Sequence, residues 1–298
     1  EQQLCRTGEI TDSNERALTL GECPTTSAPT TFVATTSLPT RAPSTIPTIT
    51  HPFDAWQMEK IDAAGGVWNS WDTTSIADLG NGYKWREGAF VNVTGKFYFC
   101  PRNADSVLII DPRTNISDTT AIAGFGNAWS KWQDVIYVHT TKKLYFCPFY
   151  ADSVLVVDPM TNTSDITAIA GFGVDGKKWV RVVFAPTTGK LYFSPYGAGS
   201  VLIVDPMTNV SDTSAIAGFG TAAAKWVGAV FASTTGKLYF TPSTSTTMLI
   251  VDPSTNASDT MTIGVSEIDK WYGGVFVPTT GKIYCAPFDA DSVLVVDP

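Results

Sequence analysis

The chain has 298 residues, 44% of them hydrophobic, which allows one large repeat domain with extensions and a buried core. Its formal net charge of -8, without any run of five or six like charges, speaks against nucleic acid and anionic membrane as partners, because phosphate binding needs clustered Lys and Arg. No apolar stretch approaches the roughly 18 residues of a membrane helix, so no membrane span is expected.

Residues 1–23 begin Glu1-Gln2-Gln3-Leu4-Cys5, without the apolar core of a signal peptide, and read as a mature, processed end. Cys5 and Cys23 bracket this segment and make a candidate disulfide. From 24 to 52 the composition turns to Thr, Pro and Ser, with Pro24, Pro29, Pro39, Pro43, Pro47 and Pro52 spread along it. Such a segment buries too little surface to fold alone, and is expected to be extended, polyproline-like and a substrate for O-glycans. Its 29 residues reach about 90 Å at ~3.1 Å each, further than the roughly 45 Å diameter of the body that follows. The arm can therefore dock on a second copy, with Phe32, Val33, Leu38, Ile46 and Ile49 as anchors. Head-to-tail contacts of that kind do not close, and they propagate as a filament.

A connector, 53–70, leads into the repeat region, 71–298. Trp85, Trp132, Trp179, Trp226 and Trp271 recur at spacings of 47, 47, 47 and 45, opening five copies of one unit. In the third copy Trp179 to Ala185 alternates apolar positions and Pro186-Thr187-Thr188-Gly189 makes a turn. Lys190 to Ser194 returns, Val201 to Val204 is a fully covered strand before an Asp205-Pro206 turn, and Ser211 to Ile216 is a fourth strand. Four antiparallel strands repeated in tandem predict an all-β, five-bladed β-propeller. The last copy stops after its third strand, while Trp71 to Gly80 matches Ser117 to Gly126. Residues 71–80 therefore predict an orphan fourth strand that pairs with 292–297, closing its own blade or a neighbour's.

Leu191-Tyr192-Phe193-Ser194-Pro195-Tyr196-Gly197, Ser200-Val201-Leu202-Ile203-Val204-Asp205, Thr208-Asn209 and Ile216 to Gly220 follow one order: tyrosine strand, apolar strand ending in Asp, Thr-Asn turn, glycine-terminated strand. In this the repeat resembles the YVTN family of β-propeller repeats, with longer copies, an added Lys-Trp start and fewer of them. The resemblance implies an extracellular scaffold or adhesion role and transfers no catalytic residue.

Asn-x-Ser/Thr occurs at Asn92, Asn115, Asn162, Asn209 and Asn256, the last four in repeat register. Duplication of a turn that favours Asn and Ser would also produce this register. Read as glycosylated, the sites imply secretion. Strand parity puts all five on one side and leaves the opposite side bare, with Arg102, Phe149, Tyr150, Tyr196, Phe288 and the Lys-Trp starts. Those starts, Lys84-Trp85, Lys131-Trp132, Lys178-Trp179, Lys225-Trp226 and Lys270-Trp271, either ring the axis as a binding surface or wedge the blades apart as structure.

Signals for chemistry are sparse. His51 and His139 stand far apart, the Asp-Pro aspartates Asp111, Asp158, Asp205, Asp252 and Asp297 have a sufficient role in turns, and no metal site or cofactor is expected. Cys100, Cys147 and Cys285 read as small buried residues, with Cys285 facing the opposite way from the other two. A catalytic propeller must break its symmetry, no such break is evident beyond the isolated Glu87 and Glu267, and the chain is expected not to be an enzyme. The expectation is thus a structural subunit of an extracellular glycoprotein filament, appendage or surface layer, whose partner is itself. The alternative is a lectin-like or ligand-binding propeller using the bare face.

Overall fold

The computed structural model describes residues 72–264 and 269–298. The arm anchors, Cys5, Cys23, His51 and Glu267 lie outside the described residues. The rest is a five-bladed β-propeller of antiparallel strands. Blade one is β1 (Trp85–Val91), β2 (Lys96–Pro101), β3 (Leu108–Asp111) and β4 (Ile116–Asp118), and blade two is β5 (Trp132–Val138), β6 (Lys143–Pro148), β7 (Leu155–Asp158) and β8 (Thr163–Asp165). Blade three is β9 (Trp179–Ala185), β10 (Lys190–Pro195), β11 (Leu202–Asp205) and β12 (Val210–Asp212). Blade four is β13 (Val230–Ala232), β14 (Lys237–Phe240), β15 (Thr247–Asp252) and β16 (Ala257–Thr262), and blade five has β17 (Trp271–Val277), β18 (Lys282–Pro287) and β19 (Leu294–Val296).

The fourth strand is shorter than expected in blades one to three, with three residues, and begins one residue earlier; in blade four it keeps six residues. In blade three it ends at Asp212, because the Asp212 carboxylate accepts hydrogen bonds from the amides of Ser214 (2.6 Å) and Ala215 (3.1 Å) and bends the chain into a local turn. The backbone then returns, and the Ile216 carbonyl receives the Val201 amide at 2.9 Å. Asp118 and Asp165 make the same turn. So does Asp72, with the amides of Thr74 (2.7 Å) and Ser75 (3.1 Å). Of the expected strand at 71–80, residues 72–80 form a turn like those after β4, β8 and β12, among the described residues β19 pairs with β18 alone, and the remainder of the expected closure lies outside the described residues. The positions equivalent to β4 are 70–72, two of which lie outside the described residues.

Blades are joined by apolar packing of one repeated pattern. Tyr98, Cys100, Val107 and Ile109 of blade one meet Leu144, Phe146, Leu155 and Val157 of blade two. The same positions form the joints between blades two and three, three and four, and four and five. A polar link accompanies them: Tyr98, Tyr145 and Tyr192 donate to the carbonyls of Pro159 (3.2 Å), Pro206 (3.0 Å) and Pro253 (3.1 Å) in the following blade. Cys100 and Cys147 face the following blade, Cys285 the preceding one, and all three are free and buried.

The joint between blades five and one is different. On blade five Val275, Val293 and Val295 are 65%, 52% and 48% exposed, and Tyr284 is exposed as well. Their equivalents Val201 and Ile203 in blade three are 0% and 4% exposed. On blade one Phe97, Phe99 and Ile110 are half-buried, whereas Leu144, Phe146 and Val157 are fully buried. Among the described residues four blade joints are thus packed by apolar clusters, while blades five and one meet at the axis through Arg86 and Tyr272 and leave the outer parts of their facing surfaces exposed.

Candidate functional site

The repeated Lys and Trp stand at the entry to each inner strand, four residues ahead of it in blade four, and the structure gives both a packing role. Every Trp indole donates to a carbonyl 21 residues on, at Ser106, Ser153, Ser200, Thr247 and Ser292, over 2.7–2.8 Å. Trp132, Trp179, Trp226 and Trp271 are buried. The ammonium groups turn back onto loop carbonyls: Lys131 onto Gly126 (2.7 Å) and Ala104 (2.9 Å), Lys178 onto Gly173 (2.8 Å), Lys225 onto Ala222 (2.8 Å), Lys270 onto Ser245 (3.1 Å) and Lys84 onto Leu79. Burial lowers the pKa of Lys131, Lys178 and Lys225. The Asp-Pro aspartates cap turns, as at Asp205, which accepts from the Met207 amide at 2.9 Å. Among the described residues no group of three His, Cys, Asp or Glu could hold a metal ion.

The position after each Trp is different. There the five copies read Arg86, Gln133, Val180, Val227 and Tyr272, a ring in which the repeat symmetry is broken. Arg86 donates to Tyr272 Oη at 2.6 Å and to Gln133 Oε1, and its guanidinium lies 5.5 Å from the Tyr272 ring centroid. Gln133 is 1% exposed, and its Nε2 has no hydrogen-bond partner. One position further on, Arg181 pairs with Glu87 (2.8 Å) and Asp134 (3.6 Å). Burial pushes the Asp134 carboxyl up to about 6, against the pull of Arg181 and of the Val182 and Val135 amides.

Around this ring the bare-face loops converge. Arg86, Arg102, Trp129, Ser130, Gln133, Phe149, Tyr150, Lys177, Val180, Tyr196 and Tyr272 line a cavity of about 260 Å³. Arg102 donates to Ser130 Oγ (3.1 Å) and sits between the rings of Tyr83 (5.4 Å) and Trp129 (5.3 Å). Phe149 packs edge-on against both Tyr150 and Tyr196, and Phe288 packs at a tilt against Tyr272. The structure thus brings together Arg102, Phe149, Tyr150 and Tyr196, with Phe288 beside them. It leaves the five Trp out of the cavity. Arg86, Gln133 and Tyr272 were missed by sequence reasoning, although a signal existed: they vary where their flanks repeat. A larger hollow of about 510 Å³ beside blade one, lined by Asp78, Asn81, Tyr83, Lys84 and Asn103 among others, contains no buried polar atom lacking a partner.

All five sequon asparagines lie at the opposite end of the strands. Asn92 is in the β1–β2 turn, and Asn115, Asn162, Asn209 and Asn256 have φ of 56–58° in the turns between third and fourth strands. Asn and Gly tolerate this left-handed backbone better than other residues, which gives these asparagines a conformational reason to recur.

No family model matches the sequence, and no curated protein matches it. Solved structures match by shape. A virginiamycin B lyase from Staphylococcus aureus superposes with a TM-score of 0.54 at 10% identity, over 74% of this chain and 73% of that one. A nidogen/laminin complex gives 0.52 at 12% identity, over 72% and 75%. The extracellular domain of a one component system from B. thetaiotaomicron gives 0.52 at 13%, over 71% of this chain and 27% of that one. The presence of lyases in this group corrects the expectation that the chain is not an enzyme: the scaffold carries catalysis elsewhere, and the broken symmetry at the axis removes the sequence argument against it. Among the described residues no helix is long and apolar enough to cross a membrane. At these identities the likeness establishes the fold alone: the chain is a β-propeller, similar in shape to proteins that include extracellular domains.

Proposed function

We propose that this chain is a structural subunit of an extracellular, N-glycosylated filament, appendage or surface layer, in which copies join head to tail. The observation that carries the reading is that, among the described residues, the apolar faces of blades five and one are exposed. Val275, Tyr284, Val293 and Val295 form one half of a joint that the chain makes four times, and Phe97, Phe99 and Ile110 belong to the other half. Fully burying an exposed Val is worth roughly 1.5–3 kcal/mol, so a patch of this size drives association. The two halves differ, so the contact between copies is heterologous and propagates. Tyr284 then donates to the Pro112 carbonyl of the next copy, as Tyr98 does to Pro159 within the chain. The 24–52 arm adds reach to the same assembly, and glycans on the five asparagines keep one side solvated.

Cross-linking tests this reading against closure of the chain on itself. With Cys at both Ile110 and Val295, a bismaleimide spanning about 10 Å, the spacing of packed sheets, should give a ladder of multimers. A product linked only within one chain would refute head-to-tail joining. The second reading, a ligand-binding secreted propeller, is supported by the axial cavity.

A further inference from the structure

We infer that the axial cavity on the glycan-free face binds an acidic sugar, as a single residue or as the end of a glycan. This rests on the second reading and gives it a ligand class.

The charge comes first. In a chain of net charge -8, the cavity is lined by Arg86, Arg102 and Lys177 and by no Asp or Glu. Arg86 and Arg102 make no ion pair among the described residues, where the three found are Arg181 with Glu87 and Asp134, and Lys282 with Asp297. Their partners are neutral oxygens and aromatic faces. Glu87 and Asp134, two positions after their Trp, pair with Arg181, and Asp269, which acts on Tyr196, accepts from Ser243, so none of the three lines the cavity.

The second observation is the Gln133 amide. Its Oε1 accepts from Arg86, so the side chain is fixed, and its Nε2 donor is buried without an acceptor. Buried donors are seldom left unpaired, and those that are call for an acceptor from a ligand or a water. An anionic oxygen placed between Gln133 Nε2 and the arginine forks satisfies the donor and the charge together.

The rest of the lining suits a sugar ring better than a bare inorganic ion. The half-buried Tyr150 and Tyr196, backed by the buried Phe149, offer faces for the apolar side of a pyranose, and their phenols offer partners for its hydroxyls. At about 260 Å³ the space lies just below the ~300–1,000 Å³ of drug-sized sites, which suits one ring and not a dinucleotide.

The test is calorimetry on the full chain with four probes: galacturonic acid, galactose 6-sulfate, neutral galactose and sodium sulfate. Both acidic sugars should bind at least about tenfold more tightly than galactose, the size of effect expected of one charge-assisted contact. Gln133→Leu should weaken the acidic sugars by about tenfold or more and leave galactose unchanged. Should Gln133→Leu fail to fold, Tyr150→Ala in the rim loop should still weaken both acidic sugars. Equal binding of galactose and the acidic sugars would overturn the ligand class while leaving a ligand-binding propeller. Binding of sulfate as tight as that of galactose 6-sulfate would overturn the sugar, and no binding of any probe would overturn the class and the second reading together.

Discussion

The Tyr192 hydroxyl donates to the Pro253 carbonyl, 3.1 Å away in the next blade. Tyr192 lies in the second strand of blade three and Pro253 in the turn after the third strand of blade four, so this bond ties the middle of one sheet to the rim of its neighbour. Removing a buried hydrogen bond costs about 1 kcal/mol, and the Pro253 carbonyl would lose a partner. Tyr192→Phe should therefore lower the urea midpoint by about that free energy. Tyr284→Phe, which loses no bond of this kind among the described residues, should leave the midpoint of the monomer unchanged. Equal effects at the two positions would contradict the description of the open joint.

Stability should fall as pH rises from 3.8 to about 6. Burial raises the Asp134 carboxyl from 3.8 to about 6, so across that interval the folded chain binds a proton that the unfolded chain has released. A raised carboxyl favours folding most when protonated, and the loss by pH 7 is up to about 3 kcal/mol. The turn-forming Asp118, Asp165 and Asp212 shift the other way, lowered mainly by the amides of Thr120, Thr167 and Ser214. Their stabilisation is complete above 3.8 and is lost as pH falls below it, so the two windows are separate. Urea midpoints taken across pH should show the upper slope in the wild type and lose it in Asp134→Asn. A slope that survives this substitution has another origin.

Gly228 is held by space. A Cβ there would stand 2.6 Å from Thr241 Oγ1 and 2.8 Å from Gly273 Cα, where β17 crosses close to the start of β13. Thr241 also donates its amide to the Gly228 carbonyl at 3.2 Å, which limits retreat. Gly228→Ala should destabilise the fold by roughly 1–3 kcal/mol, as overpacking does, measured by thermal or urea unfolding. An unchanged midpoint would show that the two inner strands can separate freely.

The repeat made the fold legible. Five Trp starts, a Thr-Gly hairpin turn and an apolar run before Asp-Pro located the first three strands to within a residue or two in every blade but the fourth, whose first strand begins at Val230 and not at Trp226, because pairing and two-sided burial leave a strong pattern. In blades one to three the fourth strand ends sooner than its spacing suggests, since Asp118, Asp165 and Asp212 spend their carboxylates on a local turn that apolar spacing does not report. The site was half legible. Strand parity put Arg102, Phe149, Tyr150 and Tyr196 on one face, but attention to what repeats favoured the Lys-Trp pairs, which are internal fastenings. Arg86, Gln133 and Tyr272 line the axial cavity and depart from the repeat, and the ring geometry brings these departures, 47 to 186 residues apart, together around Arg86.

Sedimentation velocity of the full glycosylated chain over a concentration series tests the account most directly. The wild type should populate species beyond the monomer as concentration rises, and Val295→Asp, a charge placed on the open face of blade five, should hold the chain monomeric without changing its thermal midpoint. A wild type that stays monomeric throughout, or a Val295→Asp chain that assembles as the wild type does, would contradict a subunit joined to its neighbours through blades five and one.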